Sequence, residues 1–339
     1  MRLILTESHD PYYNLACEET YLRFSEDDVF MLWQNEPTVV IGKNQNYYAE
    51  VELKYTEANG IRVARRITGG GAVYHDLGNV NFTFITSKEK AHVLDFQYFT
   101  RPVVKALGEL GIEAKLSGRN DLIAHVGDET ENGETKGIWA KFSGNAMTAT
   151  ENRILLHGTL LFDSDLSVLA RTLRPDEEKL RKRAIKSVRS RVTNLKPLLP
   201  EEKRSMTTEQ FLSYLIAFIE REFSCKAETA DRLSVIATGL YDRNTSEDYN
   251  AGRKKKYDRE VRRRFESGLV VVLWNERESA MRDVLIEGDF FGDADVEALA
   301  SRMNGVVPTV SGLSEALQEI DVSKYVSGVS NDAFLSLFG

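Results

Sequence analysis

Apolar and polar positions change period several times along the chain. Arg2–Thr6 is a short apolar run, and Asp10-Pro11 then offers an N-cap with proline at the first helical turn, so a strand followed by a helix is expected. In that helix Leu15, Tyr21 and Leu22 share a face while Glu18, Glu19 and Arg23 reach outward. Val29–Trp33 and Thr38–Ile41 are short β-branched runs separated by Asn35-Glu36-Pro37, which reads as two strands and a turn. From Ile61 to Thr86 apolar stretches alternate with glycine-rich turns, again as strands. Asp95–Leu110 has helical spacing and stops at Gly111. Strands follow over residues 112–116, 120–126, 135–150 and 152–162, with 127–134 as an exposed hairpin tip.

Residues 165–225 read as more helical, and the best helix enters through Thr207 or Thr208 and runs to Phe223. Residues 226–268 are polar and irregular, which places a domain junction there. Beyond it, Gly268–Trp274, Arg282–Phe291 and Asp293–Met303 read as strand, strand and helix. Single helices between clusters of strands favour an α+β class over strict βαβ alternation. The expected architecture is a large domain of mixed sheets flanked by helices over residues 1–245 and a small α+β accessory domain over 246–339.

Composition narrows the function classes. The 339 residues carry 44 Lys or Arg against 52 Asp or Glu, a formal charge of −8, which argues against a dedicated nucleic-acid binder. Cys17 and Cys225, the two cysteines, make neither a CxxC pair nor a disulfide framework, so a reducing, cytoplasmic setting is expected. No apolar stretch approaches the ~20 residues that span a bilayer, and neither secretion nor membrane insertion is expected.

The most informative segment is Arg65-Arg66-Ile67-Thr68-Gly69-Gly70-Gly71-Ala72-Val73-Tyr74-His75-Asp76-Leu77-Gly78-Asn79. Three successive glycines let backbone N–H groups approach an anion or a narrow ligand, and two arginines add forked donors suited to phosphate or carboxylate. The segment is neither GxGxxG nor GxxxxGK[ST], so dehydrogenase and P-loop readings lose their motif. On glycines alone, a bulged hairpin turn is an equal reading.

The whole block, RR-x-T-GGG-AV-Y-HD-x-GN, resembles the biotin/lipoate protein ligase superfamily and, within it, the lipoate–protein ligase A family. Further blocks keep the family order: Asp10–Ala16 with Glu18-Glu19, Ser117–Leu122, Lys141–Ala146, His157–Leu160 and Ser187–Leu195. The resemblance covers about residues 1–225. It implies an ATP-dependent, AMP-forming ligase in which lipoate and Mg-ATP give lipoyl-adenylate and pyrophosphate. The lipoyl group then passes to a specific lysine of an acceptor, an E2 lipoyl domain of a 2-oxoacid dehydrogenase or a glycine-cleavage H protein.

The resemblance also implies roles for individual residues. Lys141, followed by Phe-Ser-Gly, matches the family's essential lysine, which contacts the carboxylate-derived oxygen and the α-phosphate. Arg66, Thr68, Gly69, Gly70 and Gly71 would wall the lipoyl chain and adenylate, with His157 also on the lipoate side. Ala72, Val73, Tyr74, His75 and Asn79 would border the nucleotide. Asp121 is the carboxylate expected to orient Mg2+ or the lysine. Lys179, Arg181, Lys182, Arg183 and Lys186 belong to a run of seven cations in thirteen residues without an acid. That run corresponds to the family's adenylate loop, although a solvated helix face or a nucleic-acid patch would share its charge. At residues 249–252 this chain reads Tyr-Asn-Ala-Gly where relatives often carry a Trp-x-[YF]-Gly-like signature, so accessory-domain contacts transfer least well.

Two other readings differ in chemistry. An octanoyl- or lipoyl-transferase of the same superfamily works through a cysteine thioester, and no cysteine lies between Ala72 and Phe223. A non-catalytic lipoate or adenylate sensor would not require Lys141 together with the glycine loop and Ser117–Asp121.

Overall fold

The computed structural model describes residues 1–93, 95–118, 120–131, 134–174, 192–252 and 255–339. The chain divides into two compact units. The first comprises residues 1–40, 51–64 and 73–246; the second comprises 41–50, 65–72 and 247–339.

The first unit is built on an eight-stranded mixed sheet. Its strands are β1 (Arg2–Leu5), β2 (Val29–Trp33), β6 (Asn79–Ser87), β7 (Ala114–Ser117), β8 (Asp121–Glu131), β9 (Glu134–Ala149), β10 (Arg153–Leu161) and β11 (Ala227–Thr229). They lie in the order β11-β1-β2-β6-β10-β9-β8-β7. β1 runs parallel to β11 and β2, and the other pairings are antiparallel. A small sheet joins β3 (Thr38–Ile41), β4 (Arg62–Arg65) and β5 (Val73–His75) in the order β4-β3-β5.

Side-chain alternation gives the large sheet two different faces. Phe30 and Leu32 on β2, Phe82 and Phe84 on β6, and Ile154, Leu156 and Leu160 on β10 share one apolar core with the helices Phe96–Glu109 and Thr208–Phe223. The intervening positions, Trp33, Asn81, Thr83, His157 and Thr159, face the other way, and there Thr83 and His157 meet Glu18 of the helix Pro11–Phe24. The alternation that builds the core thus also sets out a row of polar side chains on the opposite face.

Several helix ends follow the local chemistry read from sequence. The Asp10 side chain accepts from Tyr12 N at 3.0 Å, with Pro11 at the first helical position. Thr207 and Gln210 form a reciprocal capping box for Thr208–Phe223. Between 165 and 206 the described residues hold the helix Leu166–Thr172 and two 3-10 turns, Lys196–Leu198 and Glu201–Lys203.

The stretch 226–268 departs from the irregular structure expected of it. It contains β11, short helices at Arg232–Ala237, Leu240–Thr245 and Glu247–Asn250, and the strand β12 (Arg259–Phe265). β12 begins the antiparallel sheet β12-β13-β14 of the second unit, with β13 at Gly268–Arg277 and β14 at Ala280–Gly288. It is an edge strand: Val261 and Phe265 pack on the core while most of its charges stay exposed, a composition that protects an edge and hides the strand period. The helices Val296–Met303, Val310–Ala316 and Asn331–Leu335 close that core around Phe290, Leu299, Leu313 and Phe334. No helix of the described residues is long and apolar enough to cross a membrane.

Candidate active site

In the first unit Lys141 Nζ lies 2.7 Å from Asp121 Oδ1, and both side chains are roughly two-fifths exposed. Their meeting depends on a strand irregularity. Asp121 pairs with Gly144 and Leu122 with Ser143, but Ile123 pairs with Lys141, so Phe142 is the extra residue of a bulge. In a regular ladder Lys141 would share the core face with Ser143. The bulge instead turns Phe142 into the apolar core, where it is fully buried, and brings Lys141 onto the face of Gly144 and Asp121.

Gly144 makes room for this. A Cβ there would stand 3.2 Å from Lys141 Nζ and 3.4 Å from its Cε, so the lysine folds directly over the glycine. On the chain's far side, Thr193 N donates to Lys141 O at 2.8 Å, and Val192 bridges to Lys141 in parallel. The two strands are also tied beside the pair. Asn145 Nδ2 donates to Asn120 O at 2.9 Å, and Asn120 Nδ2 donates to Asn145 O at 2.7 Å.

His157 belongs to a buried polar chain. Its Nδ1 lies 3.0 and 3.1 Å from the two carboxylate oxygens of Glu18, which places the proton on Nδ1 because a carboxylate only accepts. Thr83 Oγ1 donates to Glu18 and accepts from Trp33 Nε1 at 2.9 Å. Here a carboxylate, an imidazole, a hydroxyl and an indole hold one another's orientations on the polar face of the sheet.

His75 is also buried. Asn35 Nδ2 lies 3.1 Å from His75 Nδ1, and Asn35 Oδ1 accepts from Asn14 Nδ2 at 2.9 Å; the amide orientation makes Nδ1 the acceptor. Val73 and Tyr74 pair with Val40 and Val39, and burial with the nearby Asp76 charge pushes the Tyr74 phenol up. Asn79 Nδ2 donates to Asn81 Oδ1 at 2.9 Å, while Asn79 Oδ1 and Asn81 Nδ2 are buried with no partner among the described residues. The turn before Asn79 requires glycine, because a Cβ on Gly78 would fall 2.2 Å from Asp163 O.

The glycine-rich loop is described within the second unit. Arg66 donates through Nε to Thr68 Oγ1 at 2.8 Å and through Nη2 to Gly69 O and Gly71 O at 2.7 and 2.8 Å. Gly70, at φ +89°, donates its N–H to Phe290 O at 3.2 Å. A Cβ on Gly69 would meet that same oxygen at 2.5 Å, and one on Gly70 would meet the Phe291 ring at 2.8 Å. The glycines therefore allow close backbone packing, and Arg66 uses its Nε and Nη2 donors on the Thr68 hydroxyl and two carbonyls of its own loop. Ala72, half-buried, ends the segment.

Arg65 is likewise committed. Its guanidinium donates to the carbonyls of Gly42, Lys43 and Gln45 at 3.0, 3.0 and 2.7 Å and to those of Tyr249 and Asn250 at 3.0 and 2.7 Å. Burial pushes its pKa below the usual arginine value. Lys179, Arg181, Lys182, Arg183 and Lys186 lie outside the described residues.

Residues 10–220 match the lipoyl protein ligase A/B catalytic domain, and residues 254–338 match the bacterial lipoate protein ligase C-terminus. The chain belongs to the lipoate–protein ligase family. It is 36% identical to "Lipoate-protein ligase LplJ" of Bacillus subtilis (strain 168), over 97% of each chain. Among solved structures, P. falciparum LipL1 in complex with lipoate shares the α+β fold with a TM-score of 0.76 at 24% identity, over 99% of this chain and 97% of that one. A lipoate-protein ligase A bound with ATP aligns with a TM-score of 0.58 at 26% identity, over 74% of this chain and 98% of that one.

The chain is thus an enzyme, a lipoate–protein ligase. Glu18, Asn120 and Asn145 stand inside the ligase's motif blocks and Thr83 outside them, and none of the four has a role legible in the sequence. Glu18, expected to reach outward with Glu19, is buried as Glu19 is, and its place directly after the apolar run Leu15-Ala16-Cys17 is the one usable signal. Asn120 and Asn145 lie 25 residues apart, and only strand pairing brings them together.

Proposed function

We propose that this ligase joins lipoate to ATP and then to protein at the Lys141–Asp121 face of the large sheet. A lipoate carboxylate oxygen bonds to the α-phosphorus, and pyrophosphate leaves. The ε-amine of an acceptor lysine then bonds to the acyl carbon, AMP leaves, and the amine releases one proton. Both partners of the first step are anions, so a fixed ammonium between carboxylate and α-phosphate offsets their repulsion as the pentavalent centre forms. The observation that carries this reading is the bulge that puts Lys141 Nζ on the polar face, 2.7 Å from Asp121 Oδ1.

We assign the other residues by what their geometry leaves available. Asn79, with a buried Oδ1 lacking a partner among the described residues, offers a contact to the nucleotide beside Val73, Tyr74 and His75. Arg66, Thr68 and Gly69–Gly71 shape the lipoyl wall through the loop they hold together, and His157 contributes through the chain it forms with Glu18. Lys179, Arg181, Lys182, Arg183 and Lys186 are assigned to the phosphates on their charge and place in sequence. Among the described residues no group of three or more His, Cys, Asp or Glu forms a metal cage. Mg2+ would enter with the ATP phosphates and offset their charge, and Asp121 is the carboxylate that would help to hold it. Asp121 suits this, being partly exposed and bonded to Lys141 through one oxygen.

Catalysis is assigned to residues 1–245 and the accessory role to 246–339, in the cytoplasm, where the free thiols Cys17 and Cys225 stay reduced. The acceptors are lipoyl domains of E2 subunits and glycine-cleavage H protein. The test incubates an apo lipoyl domain with the full-length ligase, lipoate and Mg-ATP and reads the acceptor's mass. A lipoyl mass gain that requires ATP is expected, and a gain without ATP sinks the assignment. Lys141→Ala should lower lipoate-dependent pyrophosphate release by on the order of 1,000-fold with the fold intact by circular dichroism.

A further inference from the structure

Two residues outside the reacting groups hold the strands that carry Lys141 and Asp121. Asn145 is buried, and it points to the core face: it shares that face with Ser143, Met147 and Gly158, whereas Lys141, Gly144 and Asp121 occupy the other. The packing around it is tight. A Cβ on Gly158 would stand 2.0 Å from Asn145 Oδ1, so the amide lies flat over a residue with no side chain.

The bonds of Asn145 run to one place. Its Nδ2 and its backbone N–H both donate to Asn120 O, at 2.9 and 3.0 Å, and Asn120 Nδ2 returns a bond to Asn145 O at 2.7 Å. Ser143 Oγ reaches Asn145 Oδ1 at 3.4 Å. Asn120 immediately precedes Asp121, and Asn145 immediately follows Gly144, the residue over which Lys141 folds. The three bonds therefore fix Asp121 relative to Gly144 next to a bulge, where the ladder itself is interrupted and register is least constrained.

We propose that Asn145 is a positioning residue for adenylate formation, locking the β8–β9 pairing through Asn120 so that the bulge presents Lys141 Nζ to the reacting anions. The inference rests on the reading of Lys141 as the activating lysine. Asn145 touches no ligand, because it acts from the opposite face of the sheet. Its loss moves Lys141 without removing a substrate contact, so the cost falls on kcat. An Asp at this position keeps the shape but sets a carboxylate oxygen against Asn120 O and opens the clamp.

The test uses the full-length ligase and lipoate-dependent pyrophosphate release, with rates normalised to folded protein. Asn145→Asp should lower kcat on the order of 10- to 100-fold, as sub-ångström misplacement does, with KM for ATP and lipoate nearly unchanged. Asn145→Ser, which fits the space and adds no charge, should lie between it and the wild type and stands in should the Asp variant fail to fold. A second readout is the rate at which an amine-directed acylating reagent modifies Lys141, read by peptide mass spectrometry. It should rise several-fold in both variants as the lysine leaves Asp121. Wild-type kcat, a loss confined to KM, or unchanged labelling of Lys141 overturns the proposal. Lys141→Ala with wild-type pyrophosphate release overturns the active-site reading itself, whatever the Asn145 variants do.

Discussion

Cys17 is fully buried in the helix Pro11–Phe24, and burial with the neighbouring Glu18 charge pushes its thiol well above the usual range. Cys225 is half-buried and also raised, mainly by desolvation. A thioester mechanism needs a thiolate at the reacting centre, and a raised pKa lowers the thiolate fraction at every pH below it. Cys17→Ala should therefore retain ATP-dependent lipoylation close to the wild-type rate, and iodoacetamide at mildly alkaline pH should modify Cys225 before Cys17. Rapid alkylation of Cys17 with loss of transfer would restore the transferase reading. The arginines teach a related lesson at this scale. Their sequence suggests ligand donors, yet Arg65 donates to five main-chain carbonyls and Arg66 donates through Nε and Nη2 within its own loop. Side-chain type sets what a group can bind, and only packing shows whether that capacity is already used.

At the scale of elements, the helix Pro11–Phe24 is fastened by charge. Glu19 is fully buried and accepts from Arg23 Nε at 2.7 Å and from Arg243 Nη1 at 3.0 Å, with Arg243 Nη2 on its second oxygen. Tyr241 adds a bond to Asp10 Oδ2 at 3.0 Å, so Leu240–Thr245 clasps both the cap and the body of that helix. Arg243→Ala should cost about 1.5–3 kcal/mol because the buried carboxylate loses two charged hydrogen bonds and keeps the one from Arg23. A urea titration followed by circular dichroism should show a lower midpoint with an unchanged slope. Which elements exist was largely legible: Asp10, Thr207 and the run Val29–Trp33 each announce their element through local bonding or β-branching. The strand Arg259–Phe265 was not, because an edge strand tolerates charge on most positions and its apolar period reduces to Val261 and Phe265. The bulge at Phe142 was not legible either. Nothing in Lys-Phe-Ser-Gly distinguishes a regular strand from one that turns two successive side chains, Phe142 and Ser143, to the same face.

For the whole molecule, the partition into two units crosses the chain more than once. The second unit draws in residues 41–50 and 65–72 as well as 247–339, and Arg65 bridges all three segments by its bonds to 42–45 and 249–250. Arg65→Met should destabilise that unit by about 2–4 kcal/mol, since several partly buried carbonyls lose a charged donor at once. Trp274 lies in its core, so fluorescence in a Trp33→Phe, Trp139→Phe background reports the unit directly. An unchanged Trp274 transition would show that the bridge contributes nothing. The sequence by itself determined the α+β class, the family and the blocks that hold the candidate site, because cap chemistry, β-branched runs and motif spacing are local and are written in consecutive residues. Only the tertiary structure decided which face Lys141 occupies, that Glu18 and His157 share a buried chain, and that Asn120 and Asn145 close on each other. Those outcomes depend on strand register, and register is settled by packing between residues far apart in the chain.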